Sequence, residues 1–204
     1  MLVLAKNKAN MAKAKMTLDN TEEIGSMDEN EIRGLTVIFT GDGKGKTSAA
    51  LGGALRCLGH GYRVKVIQFI KGEIETGELR LAERLKPDLD ITQAGRGFTW
   101  LDDHSDDEHK KAAGEGFEMA LKALESDEYK TVVLDEIFYA LQAGLVTEEQ
   151  ISALIDRKPP ETHLVLTGRS APESIIVKAD LVTSMQDIKH PSRQGIPAQK
   201  GMDY

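Results

Sequence analysis

From Leu35 onward, short apolar runs alternate with longer stretches in which apolar residues recur every three or four positions. The short runs are typical of β-strands, and the run at 63–70 is so nearly continuous that it suits a strand covered on both faces. The predicted strands are 37–40, 63–70, 89–93, 131–136, 163–167 and 181–185. Alternating strands and helices predict an α/β fold, a mostly parallel sheet with helices on both faces. Functional residues then collect at the carboxyl edge of the sheet.

The longer stretches predict helices. One follows the first strand and ends at Gly59, a second covers 76–85 before Pro87, and a long third one carries Phe117 and Leu124 on its apolar face. Residues 147–150 and 170–173 both match the capping-box pattern that opens a helix. The stretch 94–104 and the tail after residue 190 fit no regular pattern.

Residues 1–33 form an N-terminal arm, and residues 34–204 form the domain proper. The arm begins with lysines and then turns acidic from Asp19 onward. A solvated tail explains this composition, and so does a segment that orders over a site or a neighbouring subunit.

Composition narrows the class of protein. With 204 residues and a net charge of -7, the chain suits one domain and does not favour nucleic acid as its main partner. The single cysteine, Cys57, rules out an internal disulfide; its position in a helix suits a small buried side chain or, alternatively, a reactive thiol. No apolar run is long enough to span a membrane, so we expect a cytoplasmic protein.

The strongest chemical signal lies between the first strand and the first helix. Three glycines in five residues precede Lys46 and Thr47, and a glycine-rich turn at a helix N-terminus is a phosphate-binding arrangement. The standard phosphate-binding motif G-x-x-x-x-G-K-[ST] begins with a glycine. Here Thr40 occupies that first position, and the glycine comes one residue later, at Gly41. The predicted ATP-binding residues of this loop are Gly41, Asp42, Gly43, Lys44, Gly45, Lys46, Thr47 and Ser48.

Two other strand ends carry candidate site residues. Asp135 and Glu136 follow an apolar strand, as in a Walker B strand, and together with Thr47 they are candidate Mg²⁺ ligands. Arg169 follows the fifth strand, where a guanidinium could clamp phosphate oxygens; a surface arginine in a turn explains it equally well.

The irregular stretch contains Phe98 and Trp100, the latter being the chain's one tryptophan. These rings either anchor the core or cover a flat ligand. The sequence offers no well-placed general base, because His104, His109 and His190 lie in polar runs and are expected to face solvent.

Six motifs, in order along the chain, resemble those of the ATP:corrinoid adenosyltransferases of the P-loop type, which have a RecA-like fold. The resemblance extends from about Leu35 to the last residue. The motifs lie at 41–47, 66–72, 97–100, 132–136, 166–169 and 201–204.

The resemblance implies a transferase in which Co(I) of a reduced corrinoid attacks C5′ of ATP and releases triphosphate, with Mg²⁺ bound. It implies that Lys46 stabilises the triphosphate, that ATP lies reversed along the loop, and that Phe98 and Trp100 fill the lower axial face of the corrinoid. It also implies a homodimer and a separate flavoprotein reductant. A P-loop ATPase or switch acting through a protein partner, or a corrinoid carrier without chemistry, is the alternative.

Overall fold

The computed structural model describes residues 33–72, 75–97 and 105–204. The predicted arm, apart from Arg33, and the pair Phe98 and Trp100 lie outside these ranges. Strands and helices alternate along the chain as predicted. The strands are β1 (Thr36–Thr40), β2 (Val64–Gln68), β3 (Leu89–Gln93), β4 (Thr131–Asp135), β5 (His163–Thr167) and β6 (Leu181–Ser184). The helices are α1 (Lys46–Gly59), α2 (Gly77–Arg84), α3 (Asp106–Glu125), α4 (Ile137–Gln142), α5 (Glu148–Arg157) and α6 (Glu173–Ile176).

The six strands form one parallel sheet in the order β3-β2-β4-β5-β1-β6. All their carboxyl ends therefore lie at one edge. After β1, the chain forms β2 and β3 at the far side of the sheet. Strands β4 and β5 then fill the space between β2 and β1, so β1 and β4 become near neighbours across β5. This order confirms the predicted fold class and brings the phosphate loop after β1 close to the acids after β4.

Strands β2 and β4 are buried at every position, so alternate side chains enter two separate cores. Val132 and Leu134 face the core under α3, α4, α5 and α6. Val133 faces the second core, which α1 and α2 cover. Their apolar composition follows from this, because neither face is in water.

Local signals at the helix ends account for several boundaries. The predicted capping box at Thr147 and Gln150 is present, and a second one, not predicted, joins Ser105 and Glu108 at the start of α3. The capping box predicted at 170–173 is wrong. Ser170 has a positive φ of 53°, which places it in the turn after β5, and α6 begins only after Pro172, which is its N-cap.

Two further differences concern elements that periodicity did not indicate. Helix α4 was not predicted, because its six residues are too few to show a period. The tail contains a 3-10 turn, Pro191–Gln194, within otherwise irregular chain.

Cys57 is partly buried and packs against the α1–α2 core. Among the described residues, no helix is long and apolar enough to cross a membrane.

Two glycines of α3 provide a matched test of its packing. A Cβ on Gly116 would lie 2.6 Å from the Cβ of Ala94, whereas a Cβ on Gly114 would meet nothing within 4 Å. We predict that Gly116→Ala lowers the free energy of unfolding by about 1–3 kcal/mol, because the helix must move off the sheet. Gly114→Ala should raise it by about 0.5–1 kcal/mol through helix propensity.

Urea unfolding of both variants measures this pair. Equal stabilisation by the two substitutions would contradict the close packing of α3 against Ala94.

Candidate functional site

The phosphate loop connects β1 to α1 and is braced by the chain that follows β6. Gly41 has a φ of 91°, and a Cβ there would lie 2.4 Å from the carbonyl oxygen of Met185. Gly43 N donates to that same carbonyl at 2.8 Å, while Met185 N donates to Thr40 O at 2.8 Å. The late glycine noted in the sequence is therefore required both by its backbone conformation and by the approach of Met185.

Lys46 begins α1 and is folded back over its own loop. Its Nζ donates to the carbonyls of Gly41 and Gly43, at 2.8 Å each, and the residue is only 5% exposed. Burial lowers the pKa of Lys46, Arg169 acts in the same direction, and the nearby Glu136 opposes them. The Lys46 ammonium is thus bonded to its own loop. It would have to break these two hydrogen bonds in order to contact a bound phosphate.

Asp135 connects the loop to the centre of the sheet. It is 1% exposed, and its Oδ1 accepts hydrogen bonds from Thr47 Oγ1 at 2.8 Å and Thr167 Oγ1 at 2.9 Å. Burial raises the pKa of Asp135, and these two hydroxyl donors partly offset that rise. The predicted pairing of the loop with the acid after β4 is therefore present in the structure.

Glu136 takes a different position from its neighbour. Its backbone has a φ of 60°, outside the range usual for non-glycine residues, and its N–H donates to Thr167 Oγ1 at 2.8 Å. The side chain is half-buried and lines the cavity beside the loop. Burial, together with the charge of Asp135, raises the pKa of Glu136, and Lys46 opposes the rise.

A cavity of about 620 Å³ opens over the loop at the carboxyl edge of the sheet. Most of the predicted ATP-binding residues line it, including Arg169, whose side chain is exposed. Gly41 faces an adjoining cavity instead. The loop residues on the main cavity are Asp42, Gly43, Lys44, Gly45, Lys46, Thr47 and Ser48.

Two of the three histidines that were expected to face solvent can be placed. His190 is half-buried and lines the cavity. His109 does not face solvent as predicted: it is 3% exposed, because it lies on the face of α3 that carries Ala113 and Phe117. His104 lies outside the described residues.

A polar cluster at the end of β2 was not predicted. Gln68 is fully buried, and its Nε2 donates to Glu78 Oε1 at 3.2 Å and to Asp135 Oδ2 at 3.4 Å. Lys71 donates to the same Glu78 oxygen at 2.5 Å. Within the part of the chain that the structure describes, the Oε1 atom of Gln68 has no hydrogen-bond partner. The sequence did contain one signal for this cluster, a polar residue at the end of an apolar strand. Its partner Asp135, however, is distant in sequence.

Comparison with known proteins gives a consistent result. The family model of ATP:corrinoid adenosyltransferases BtuR/CobO/CobP matches residues 32–204. A corrinoid adenosyltransferase of Pseudomonas aeruginosa is 39% identical over 173 residues, covering 84% of each chain. One from Sinorhizobium sp is 39% identical over 204 residues, 98% of this chain and 89% of that protein, so its match extends into the N-terminal segment. The corrinoid adenosyltransferase CobA of Salmonella typhimurium is 34% identical, covering 85% of this chain and 87% of its own.

Solved structures agree on the fold. A KaiC-like protein from Pyrococcus horikoshii aligns with a TM-score of 0.50 at 16% identity, covering 76% of this chain and 73% of its own. The flagellar accessory protein FlaH of Methanocaldococcus jannaschii aligns with a TM-score of 0.50 at 14% identity, covering 74% and 71%. At these identities the similarity concerns the RecA-like architecture alone.

Burial of Asp135 generates a pH-dependent prediction. A carboxyl group whose folded pKa is raised costs stability once it ionises, so this cost is absent below the unfolded pKa and grows as pH rises toward the folded pKa. Asp135→Asn removes the charge, and the unpartnered oxygen of Gln68 can accept from the new amide. The ordinary pKa of this carboxyl group is 3.8. As pH rises above that value, the free energy of unfolding of wild type should therefore fall relative to that of Asp135→Asn.

Urea denaturation from pH 4 to 8 measures the difference between the two proteins. A constant difference across this range would show that Asp135 titrates equally in the folded and unfolded chains. Asp156→Asn, at an exposed ion pair with Lys178, provides the matched control.

Proposed function

The chain belongs to the ATP:corrinoid adenosyltransferase family, and we propose that it transfers the 5′-deoxyadenosyl group of ATP to Co(I) of a reduced corrinoid, with release of triphosphate. A transferase with ATP and a corrinoid as substrates is what the family establishes. The observation that carries the finer proposal is that Lys46 and Thr47 line one cavity while Thr47 donates to the buried Asp135 behind it.

The proposed step needs no proton transfer. Co(I) donates an electron pair to C5′, a cobalt–carbon bond forms, and the C5′–O bond breaks with its electrons leaving on the triphosphate. Cobalt is formally oxidised from Co(I) to Co(III). The enzyme's contribution is then to align C5′ with cobalt and to stabilise the charge on the leaving oxygen. This agrees with the absence of a recognisable general base in the sequence.

Lys46 and Arg169 are the proposed contacts of the triphosphate. Lys46 would exchange its two loop carbonyls for phosphate oxygens, which are stronger acceptors because they are charged. Arg169 lines the same cavity from the end of β5. The one-residue shift of Gly41 supports ATP lying reversed along the loop, with C5′ toward the corrinoid.

Mg²⁺ is proposed to be held by Thr47 and Asp135, with Glu136 beside them. Hydroxyl and carboxylate oxygens suit this hard cation, and the Oδ2 atom of Asp135 has Gln68 Nε2, at 3.4 Å, as its contact. Among the described residues no three acidic, histidine or cysteine side chains form a metal-binding group, so phosphate and water oxygens would complete the shell. When bound, the ion neutralises charge on the phosphates.

Phe98 and Trp100 are proposed to act on the corrinoid. Support comes from the preceding residue, Gly97, whose N–H donates to Ile70 O at 2.8 Å just beyond the carboxyl end of β2. Apolar rings there would displace the lower axial ligand of Co(II), which eases its reduction by a separate flavoprotein.

A homodimer is the proposed assembly, with the arm of residues 1–33 covering a corrinoid site. The exposed edge strand supports an interface: Leu181 and Val182 of β6 are 43% and 40% exposed.

Product analysis tests the function. Mixed with MgATP and a corrinoid chemically reduced to Co(I), the protein should form an adenosylcorrinoid and one equivalent of triphosphate. Lys46→Ala should lower the rate about a hundredfold or more, since a charged contact to the leaving group is worth roughly 3 kcal/mol of barrier. ADP and phosphate as products would instead identify a P-loop ATPase.

The two aromatic residues generate a separate prediction. Phe98→Ala and Trp100→Ala should retain ATP affinity but lose activity when a flavoprotein supplies the electrons to Co(II). Preformed Co(I) should restore most of the rate, because reduction is then bypassed.

Steady-state rates with the two electron sources, and ATP titrations, provide the measurements. Equal loss with preformed Co(I) would mean that the rings support the loop and do not act on cobalt.

A further inference from the structure

Residues 199–204 form a hydrogen-bonded turn at the mouth of the nucleotide cavity. Asp203 N donates to Gln199 O at 2.8 Å, and Gln199 N donates to Asp203 Oδ2 at 2.7 Å. Gly201, Met202, Asp203 and Tyr204 all line the cavity opposite the phosphate loop. The turn therefore forms one wall of the site, although it lies far along the chain from the loop.

The turn presents one carboxylate oxygen directly to the loop. While Oδ2 of Asp203 is held by Gln199, its Oδ1 forms an ion pair with Nζ of Lys44. The side chain of Asp203 is 19% exposed, whereas that of Lys44 is 54% exposed. The carboxylate is thus held by its own turn, and the lysine is the more exposed partner.

Lys44 is one of two lysines in the phosphate loop, and the two are held differently. Lys46 is buried and bonded to neutral carbonyls, whereas Lys44 is paired with an anion. A polyphosphate bound in the cavity would be a further anion within reach of Lys44. The same ammonium cannot fully neutralise both, so the carboxylate and the polyphosphate compete for it.

We propose that Asp203 competes with triphosphate for Lys44 and so promotes release of that product. This inference rests on the proposed function, because it takes triphosphate as the leaving group. When the phosphate chain is bound, Lys44 turns from the carboxylate to the phosphate oxygens. When the triphosphate leaves, Lys44 forms its ion pair with Asp203 again, and this ion pair stabilises the protein without bound triphosphate.

The size of the effect follows from exposure. An ion pair that is partly in water changes an equilibrium by about two- to fivefold, and salt reduces it. Asp203→Asn removes the charge and leaves an amide oxygen to accept from Gln199 N, so the turn is preserved. Inorganic triphosphate should bind this variant about two- to fivefold more tightly than wild type at low salt.

The experiment is calorimetric titration of inorganic triphosphate, with Mg²⁺, into four proteins: wild type, Asp203→Asn, Lys44→Gln and the double variant. Tighter binding by Asp203→Asn that disappears in the Lys44→Gln background supports the proposal, because the carboxylate then acts through that lysine. Asp156→Asn makes the same charge change at an ion pair that does not line the cavity and should leave binding unchanged.

Other outcomes overturn it. Unchanged or weaker binding by Asp203→Asn means that the turn is a structural wall or a direct support for the ligand. Equal tightening by Asp156→Asn means that net charge alone is responsible. Triphosphate binding is measured without corrinoid, so this test does not depend on adenosyl transfer. A protein that binds triphosphate but does not transfer the adenosyl group refutes the proposed function, and the titration still tests the role of Asp203. A wild type that does not bind triphosphate at all refutes this proposal, whereas the proposed function is refuted only when product analysis finds no adenosylcorrinoid.

Discussion

The carboxylate of Asp135 is the group on which the site depends most. Removing a carboxylate from water is expensive, and here the cost is offset by hydroxyl donors from two different elements, Thr47 of α1 and Thr167 of β5. Each donor is satisfied by the same oxygen atom. The loop after β1, strand β4 and strand β5 are therefore fixed relative to one another by a single buried acceptor.

The parallel sheet makes this arrangement possible. Because β5 lies between β1 and β4, the hydroxyl of Thr167 reaches Asp135 from the neighbouring strand while Thr47 reaches it from the loop after β1. The left-handed conformation of Glu136 then turns the chain away immediately after the strand. Adjacent acids in sequence thus have different environments: Asp135 is inside the protein and Glu136 is on the cavity wall.

Much of the fold could be predicted because its signals are local. Strands β3 and β5 have the bounds that their apolar runs indicate, and the capping box of α5 is formed by residues three apart. The errors arise where tertiary context decides. Ser170 matches a helix-start pattern, yet it lies in the turn after β5. The next residue donates its N–H to Thr40 Oγ1, at 3.1 Å, and not to a helix cap. His109 lies in a polar run but occupies a buried helical position.

The site shows the same division. Lys46, Thr47 and Asp135 belong to motifs whose spacing is visible in the sequence, and the structure brings them together. Gln68 also contacts Asp135, which is 67 positions away, and Asp203 contacts Lys44 from the other end of the domain. Strand order and the path of the tail decide such contacts, and neither is encoded in a short window.

The bracing of the phosphate loop by Met185 has a mechanical consequence. The carbonyl and the N–H of this residue both bond to the segment between Thr40 and Gly43, at 2.8 Å each. Met185 directly follows β6, an edge strand of four exposed residues. The same residue thus holds both the edge of the sheet and the loop after β1, so a substitution that loosens β6 would also loosen this loop. The conformation of the loop that is proposed to bind ATP is therefore in part a property of the outermost strand.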